Sequence, residues 1–386
     1  MIRVGFLLGF PVEYKGGINY IKNLLYAIHK FHSKEIEIYL FVPSDLEEEY
    51  ITLFKDYAKI IHTKIIQRKT FPWLISKVSQ KFFNFDPLTY RLLKKYKINV
   101  ISHSNYVFPG DSIKTINWIP DFQYLHYPKL WTHKQLKLEH RLHKEWILKS
   151  DRIVVSSFDA LKDLVSVYPK DESKVSVLHF VSQPDILKYD EPIDISQYVK
   201  GKYFYLPNQF WEHKNHLIVF KAVKELKKKG LDVKVLTSGL MNDFRSKNQH
   251  VEMLRKYVED HQLTENVSFL GLIPYKDVLQ LIKEAVAVIN PSFFEGWSST
   301  VEESKSIGKS IILSNINVHQ EQDPSNAFYF DPTDKIELAS IMEDLWLNAD
   351  QMNLQNRKEQ LLINLDNRTR AFADDYKAII DQLLPS

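Results

Sequence analysis

The chain has 386 residues, 44% of them hydrophobic and 26% charged, with a net charge of +3. This is a globular composition, long enough for two domains with ample core. So small a charge excess gives no basis for binding nucleic acid, and the absence of cysteine excludes disulfides and thiolate metal sites and is compatible with a reducing cytosol.

No apolar run reaches the ~18 residues needed to span a bilayer. The chain opens on a buried-strand run, Ile2-Arg-Val-Gly-Phe-Leu-Leu-Gly9. It is short, carries Arg3 and is followed by Glu13 and Lys15, which fits a first strand and not a signal peptide. Ile18 to Phe31 carries apolar residues at helical spacing. Gly16-Gly17 precedes it, where bare backbone either approaches a ligand or simply forms a loop. Glu35 to Pro43 reads as a second strand, followed by an acidic helix from Asp45.

From Lys64 to Phe85 the pattern changes. Lys64, Arg68, Lys69, Lys77 and Lys81 interleave with Phe71, Trp73, Leu74, Ile75, Val78, Phe82 and Phe83. Such a stretch is either a core helix with a solvated basic side or one that lies on an anionic membrane surface. Asn99 to Ser102 and Thr115 to Ile119 are short strands that lead to His103-Ser-Asn105-Tyr106 and Pro120-Asp121-Phe122-Gln123. Polar residues at strand ends are site candidates in an α/β sheet. His140 and His143 share a helical spacing that metal sites use, but with no second ligand pair the reading is a solvated helix face. Arg152 to Ser156 and the helix from Asp159 complete the strand–helix series of the first half.

Between Val177 and Lys202 the periodicity fails and prolines and aspartates appear, which marks a linker. Tyr203 to Leu206 restarts the strands, and Pro207-Asn208 to His213-Lys214-Asn215-His216 leads into a helix, with Lys214 placed as a point charge for a diphosphate. Val233 to Leu236 and Val267 to Ile273 are further strands. The densest signal follows: the apolar strand Val286 to Asn290 runs into Pro291-Ser-Phe-Phe-Glu295-Gly-Trp-Ser-Ser-Thr-Val-Glu-Glu303 and a small-residue helix to Gly308. Ser298, Ser299 and Thr300 supply hydroxyls and free backbone N–H groups at a helix start, a ready anion site. Glu295 and Glu303 flank it as acceptors suited to sugar and ribose hydroxyls. Equally, Ser299-x-x-Glu302 and Thr300-x-x-Glu303 fit a capping box, in which the glutamates only satisfy helix-start N–H groups. Strands at Ser310 to Leu313 and Ala327 to Phe330, then helices, finish the chain.

Glu-Gly-aromatic with a second Glu after seven intervening residues, between Pro-Ser and a helix ending in Gly, resembles the signature of glycosyltransferase family 4, of the bacterial polysaccharide and lipopolysaccharide type. The resemblance implies the α/β GT-B fold, with two Rossmann-like domains facing a central cleft and a final helix, about Thr369 to Leu384, crossing back to the first. The expected domains are an acceptor-side domain, 1–182 plus 369–386, and a nucleotide-sugar domain, 183–368. It implies a retaining transfer of a sugar from a nucleotide diphosphate donor to a hydroxyl of a glycan or lipid-linked glycan, in the cytoplasm or peripherally on the inner face of the membrane.

By the same resemblance Glu295 holds the donor sugar and Glu303 the ribose. Gly17, Lys214 and the turn Gly296-Trp297-Ser298-Ser299-Thr300 meet the diphosphate, and Leu272, after Phe269-Leu-Gly271, meets the base. Asp121 or His103 orients the acceptor, so that Asp121, His103 and Glu295 form the catalytic set. Asn208 stands near the family's usual Arg and Pro120 where most members have His. No Asp-x-Asp occurs, which points to a site without metal and with no cofactor beyond the donor. Two rivals follow from the same residues: a nucleotide-sugar epimerase or phosphorylase on this fold, and a non-catalytic nucleotide-sugar-binding partner that has lost the Arg and His.

Overall fold

A computed structural model describes residues 1–9, 15–83, 85–108, 113–168, 172–184, 193–241, 249–348 and 358–384, and the centre of the expected linker, 185–192, lies outside them. The chain divides into two compact units. The first comprises Met1–His126, Thr132–Val181 and Asn367–Ser386, the second Tyr127–Trp131 and Ser182–Asp366.

In the first unit the elements run β1 (Ile2–Leu7), α1 (Lys15–His32), β2 (Ile36–Pro43), α2 (Glu48–Thr52), β3 (Lys59–Thr63), α3 (Phe71–Phe83), α4 (Pro87–Lys95), β4 (Val100–Ser104), β5 (Lys114–Ile119), α5 (Gln123–His126), α6 (His133–Lys149), β6 (Arg152–Val155), α7 (Phe158–Val167) and β7 (Val175–Val177). The strands form one parallel sheet in the order β3-β2-β1-β4-β5-β6-β7. Central strands such as Ile38 to Val42 are buried on both faces, which a parallel sheet covered by helices requires and which their unbroken apolar runs supply. The edge strands β3 and β7 are half-exposed and were not expected from the sequence.

The second unit continues with β8 (Phe204–Leu206), α8 (His216–Lys228), β9 (Val235–Ser238), α9 (Gln249–Asp260), β10 (Val267–Gly271), α10 (Tyr275–Glu284), β11 (Val288–Asn290), α11 (Ser299–Ile307), β12 (Ile311–Ser314), α12 (Asn317–Gln322), β13 (Ala327–Phe330) and α13 (Lys335–Leu347). Its parallel sheet has the order β10-β9-β8-β11-β12-β13. Each sheet is therefore Rossmann-like, and each reverses its direction of growth once, between β1 and β4 in the first and between β8 and β11 in the second. At such a reversal the loops leaving the two strand ends diverge and open a crevice.

The last helix, α14 (Lys358–Leu383), starts earlier than the sequence suggests, and its residues from Asn367 belong to the first unit. There Phe372, Ala373, Tyr376 and Ile380 are buried, with the Tyr376 ring 6.4 Å from Phe6 and 6.1 Å from His103. A hydrogen bond between His32 and Asp374 (2.8 Å) and an ion pair of Lys377 with Glu35 (3.1 Å) pin its outer side.

Two local expectations are corrected. Helix α1 begins at Lys15, so Gly16 and Gly17 sit in its first turn and not in a preceding loop. His143 is buried, not solvated: α6 turns it onto Phe122 and Tyr124, its Nδ1 lies 3.2 Å from the Tyr124 hydroxyl, and burial lowers its pKa to about 4.

Candidate functional site

In the second unit the switch point between β8 and β11 is walled by a buried polar network. Asn208, just beyond β8, donates through Nδ2 to Asn290 Oδ1 at 2.9 Å, and Asn290 donates through Nδ2 to Ser298 Oγ at 2.8 Å. The Thr300 hydroxyl donates to Asn208 Oδ1 at 3.3 Å. Asn208, in the place of the usual Arg, thus uses its amide inside the wall. His216 stacks on Phe210 at 4.5 Å and hydrogen-bonds the Asn208 carbonyl, and burial lowers its pKa to about 3, which makes it a neutral core ring. No group of three or more His, Asp or Glu side chains that could hold a metal occurs among the described residues.

Lys214 reaches into this wall from the turn before α8, where Asn215 takes the left-handed conformation (φ 54°) and anchors itself by donating to the carbonyls of Pro291 and Pro332. The Lys214 ammonium lies 2.7 Å from both carboxylate oxygens of Glu295. Ser292 Oγ is also 2.7 Å from Glu295 Oε1. Burial alone would raise the pKa of Glu295, but the charge of Lys214 and hydrogen bonds from Lys214 and Ser292 outweigh it and hold the carboxyl at about 2.

Helix α11 settles the capping question. Its N-cap is Ser298, whose Oγ accepts from Val301 N, so the capping-box position belongs to Val301 and to neither glutamate. Glu302 instead accepts from Gln322 Nε2 at 3.1 Å, and the same amide clasps the Ser298 backbone at both N–H and carbonyl. Glu303 accepts from the Tyr275 hydroxyl at 2.7 Å, and burial pushes its pKa up to about 7 against the pull of that bond. The backbone N–H groups of Ser299 and Thr300 at the head of the helix have no acceptor among the described residues. Gly296 and Trp297 are half-buried in the turn before them. Leu272 is exposed beyond β10, on the segment that carries Tyr275.

The structure therefore gathers Asn208, Lys214, Glu295, Ser298, Thr300 and, through Tyr275, Glu303 around one switch point, and adds Asn290, Ser292, Tyr275 and Gln322, which sequence reasoning missed. A signal existed for two of them: Asn290 is a polar residue closing an apolar strand, and Tyr275 follows Pro274 at a helix start.

The other candidates lie in the first unit. Gly17 is buried in α1. His103 ends β4 in the left-handed conformation (φ 51°), where the pairing with β5 shifts register between Ser102 and Ser104. Its Nε2 is hydrogen-bonded to the Tyr20 hydroxyl and its Nδ1 to Ser102 Oγ, both at 2.8 Å, and burial lowers its pKa to about 3. Both ring nitrogens are thus occupied. Asp121 is half-buried beyond β5 and accepts from the Gln123 N–H at 2.9 Å, at the entrance to α5. A cavity of about 250 Å³ opens at the β1/β4 switch point, floored by Leu7, Gly9 and the His103 to Tyr106 segment.

Residues 191–360 match the family model described as Glycosyl transferases group 1, a span that falls within the second unit. The O-antigen chain mannosyltransferase RfbU of Salmonella typhimurium is 22% identical over 200 residues, 52% of this chain and 52% of RfbU, so the chain spans about half the length of the curated relative it matches. The crystal structure of a glycosyltransferase from Rickettsia africae superposes with a TM-score of 0.65 at 15% identity over 100% of this chain and 99% of the other. Anabaena HepE in complex with UDP and glucose gives 0.65 at 14% identity over 99% and 98%. Identities this low speak to fold alone. Together with the two switch-point sheets, these matches establish a chain of the GT-B fold whose second unit carries the match to the glycosyl transferases group 1 family.

Proposed function

We propose that the chain transfers a sugar from a nucleotide diphosphate donor to a hydroxyl of a glycan or lipid-linked glycan, with retention as the family resemblance implies and without a metal. The observation that carries this reading is the buried Lys214–Glu295 pair beside the uncovered N–H groups of Ser299 and Thr300. A cation and a helix N-terminus stabilise a leaving diphosphate as its charge develops. Once the diphosphate takes Lys214, the Glu295 carboxylate is released to accept from sugar hydroxyls. Glu303 accepts from the ribose, with Tyr275 holding its other face, and the backbone around Leu272 meets the base. Asp121 orients the acceptor, while His103, with both nitrogens engaged, supports the strand end. The UDP named in the Anabaena complex makes UDP the first donor probe, and the O-antigen role in the name of the Salmonella relative favours a bacterial surface glycan as acceptor. The partner surface is an anionic membrane, met through α3.

Calorimetry on two variants tests the donor site. Glu303→Ala should weaken UDP binding by about 10- to 150-fold, the worth of a charge-assisted hydrogen bond, and Glu295→Ala should leave bare UDP nearly unaffected while weakening the intact donor by a similar factor. Unimpaired binding by both variants would remove the donor from this turn. EDTA should leave transfer intact, since Lys214 and α11 occupy the role of a diphosphate-bound cation; activity lost in chelator and restored by Mn²⁺ or Mg²⁺ would overturn the metal-free reading.

A further inference from the structure

One amide joins α12 to the turn before α11. Gln322, the last residue of α12, is fully buried. Its Oε1 accepts from the Ser298 N–H at 3.1 Å, and its Nε2 donates to the Ser298 carbonyl at 3.0 Å and to Glu302 Oε1 at 3.1 Å. A carboxylate offers only acceptors, so Glu302 draws Nε2 to its own side and leaves Oε1 for the Ser298 N–H. The backbone beneath the amide is held as well. Lys305 Nζ donates to the Gln322 carbonyl, His319 Nδ1 lies 2.9 Å from the carbonyl oxygen of Ser314 at the end of β12, and the Tyr329 hydroxyl of β13 donates to the His319 carbonyl at 3.2 Å.

The grip falls on a particular peptide group. The Ser298 carbonyl and the Ser299 N–H share one planar trans unit, so they point in opposite directions and turn together. Holding the carbonyl therefore aims the N–H. Within α11 no carbonyl can do this, because the first N–H groups of a helix have no partner in it, and the side-chain cap of Ser298 is used on Val301. The Glu302 N–H also donates to the Ser298 carbonyl, at 3.2 Å, and two donors on one carbonyl polarise the peptide and strengthen Ser299 as a donor. Asn290 Nδ2 then spans from Ser298 Oγ (2.8 Å) to Glu295 Oε1 (3.4 Å), which sets the turn at a fixed separation from the Lys214–Glu295 pair.

We propose that Gln322 is a positioning residue for the diphosphate of the donor: it touches no substrate, and it acts by aiming the Ser299 N–H at a phosphate oxygen beside Lys214. The inference rests on the glycosyltransferase reading and adds to it a buried residue whose effect is confined to the phosphates.

Calorimetry on the full chain with inorganic diphosphate, UDP and uridine tests it. Gln322→Leu should weaken diphosphate and UDP by about tenfold, the worth of one well-aimed hydrogen bond, and leave uridine unchanged. Uridine carries no phosphate and so also reports the folded fraction. Gln322→Glu is a reversible form of the same change. Protonated, its carboxyl accepts from the Ser298 N–H and donates to the Ser298 carbonyl as the amide does; ionised, it loses the second bond and sets a charge against Glu302. Burial and Glu302 both favour the protonated form, so its diphosphate deficit against wild type at the same pH should exceed about tenfold at pH 8 and shrink below about threefold at pH 5.5. Where Gln322→Leu does not fold, this pH series decides alone. With a wild type that binds UDP more tightly than uridine, three results would each overturn the positioning role by itself: full diphosphate affinity in Gln322→Leu, a loss shared equally by uridine, or a Gln322→Glu deficit that does not move with pH. A wild type that gains nothing from the phosphates would overturn the donor reading and the proposal with it.

Discussion

Lys214→Met is expected to destabilise the protein by about 3–5 kcal/mol at pH 7, because it leaves the Glu295 carboxylate buried without its counter-charge. In the wild type the carboxyl is held at about 2, below its ordinary value of 4.5. Its contribution is therefore present above that ordinary value and lost as pH falls towards the folded one. In the variant burial has lost its main opponent and raises the carboxyl, so protonation relieves the defect as pH drops. The stability gap between the two proteins should thus be widest at neutral pH and narrow below about pH 4.5. Urea melts at pH 7 and pH 4.5 measure it, and an equal gap at both would sink the ion-pair account. Adding Glu295→Gln should recover much of the stability by removing the orphaned charge, but no transfer activity, since both donor contacts are then gone. That split separates a stabilising pair from a working one.

For Glu303 the sign is opposite. Burial lifts its pKa from 4.5 to about 7, so its contribution to stability is present below the ordinary carboxyl value and is lost as pH rises through the folded one. The loss amounts to about 3 kcal/mol above pH 7 at 1.36 kcal/mol per pH unit of displacement. Glu303→Gln keeps the shape without the charge and should be more stable than wild type at pH 8, by up to that amount, and no more stable at pH 4. Ribose hydroxyls, in contrast, need the ionised carboxylate as acceptor. Because the competent form grows from about a tenth to about nine tenths between pH 6 and pH 8, UDP should bind roughly tenfold tighter at the higher pH. Binding at pH 7 should release close to half a proton from this group, read by calorimetry in buffers of different ionisation enthalpy. Glu303→Gln is the control, since it retains the titration of the phosphate and lacks that of Glu303. A wild-type pH dependence no steeper than that of the variant would take the ribose away from Glu303.

The central strands were legible because a parallel strand buried on both faces must be an apolar run, as in Val4 to Leu7 or Ile38 to Val42. The edge strands β3 and β7 were not, since half-exposed strands tolerate Lys59, His62 and Ser176 and lose the pattern. The Glu295 to Glu303 spacing pointed to the turn, but its polar scaffold came from elsewhere in the chain: Gln322 and Tyr275 meet it only through folding, and local periodicity cannot encode such contacts. Likewise the basic and aromatic interleaving of α3 was visible, but not which face it buries, because the decisive contact is made by Ser76, a residue with no hydrophobic signal.

The return of α14 to the first unit sets the order in which the chain can be finished during translation. The second unit has all its residues once Asp366 has emerged, whereas the first, begun earlier, still lacks Phe372, Tyr376 and Ile380. At about 5–20 residues per second, the roughly 200 residues after Val181 take on the order of 10–40 s to synthesise. For that interval the groove that will hold Tyr376, with Phe6 and the His103 segment at its base, is open to chaperones. A premature stop codon or frameshift in the last stretch of the message would therefore cripple the part of the protein encoded first and spare the part encoded beside it.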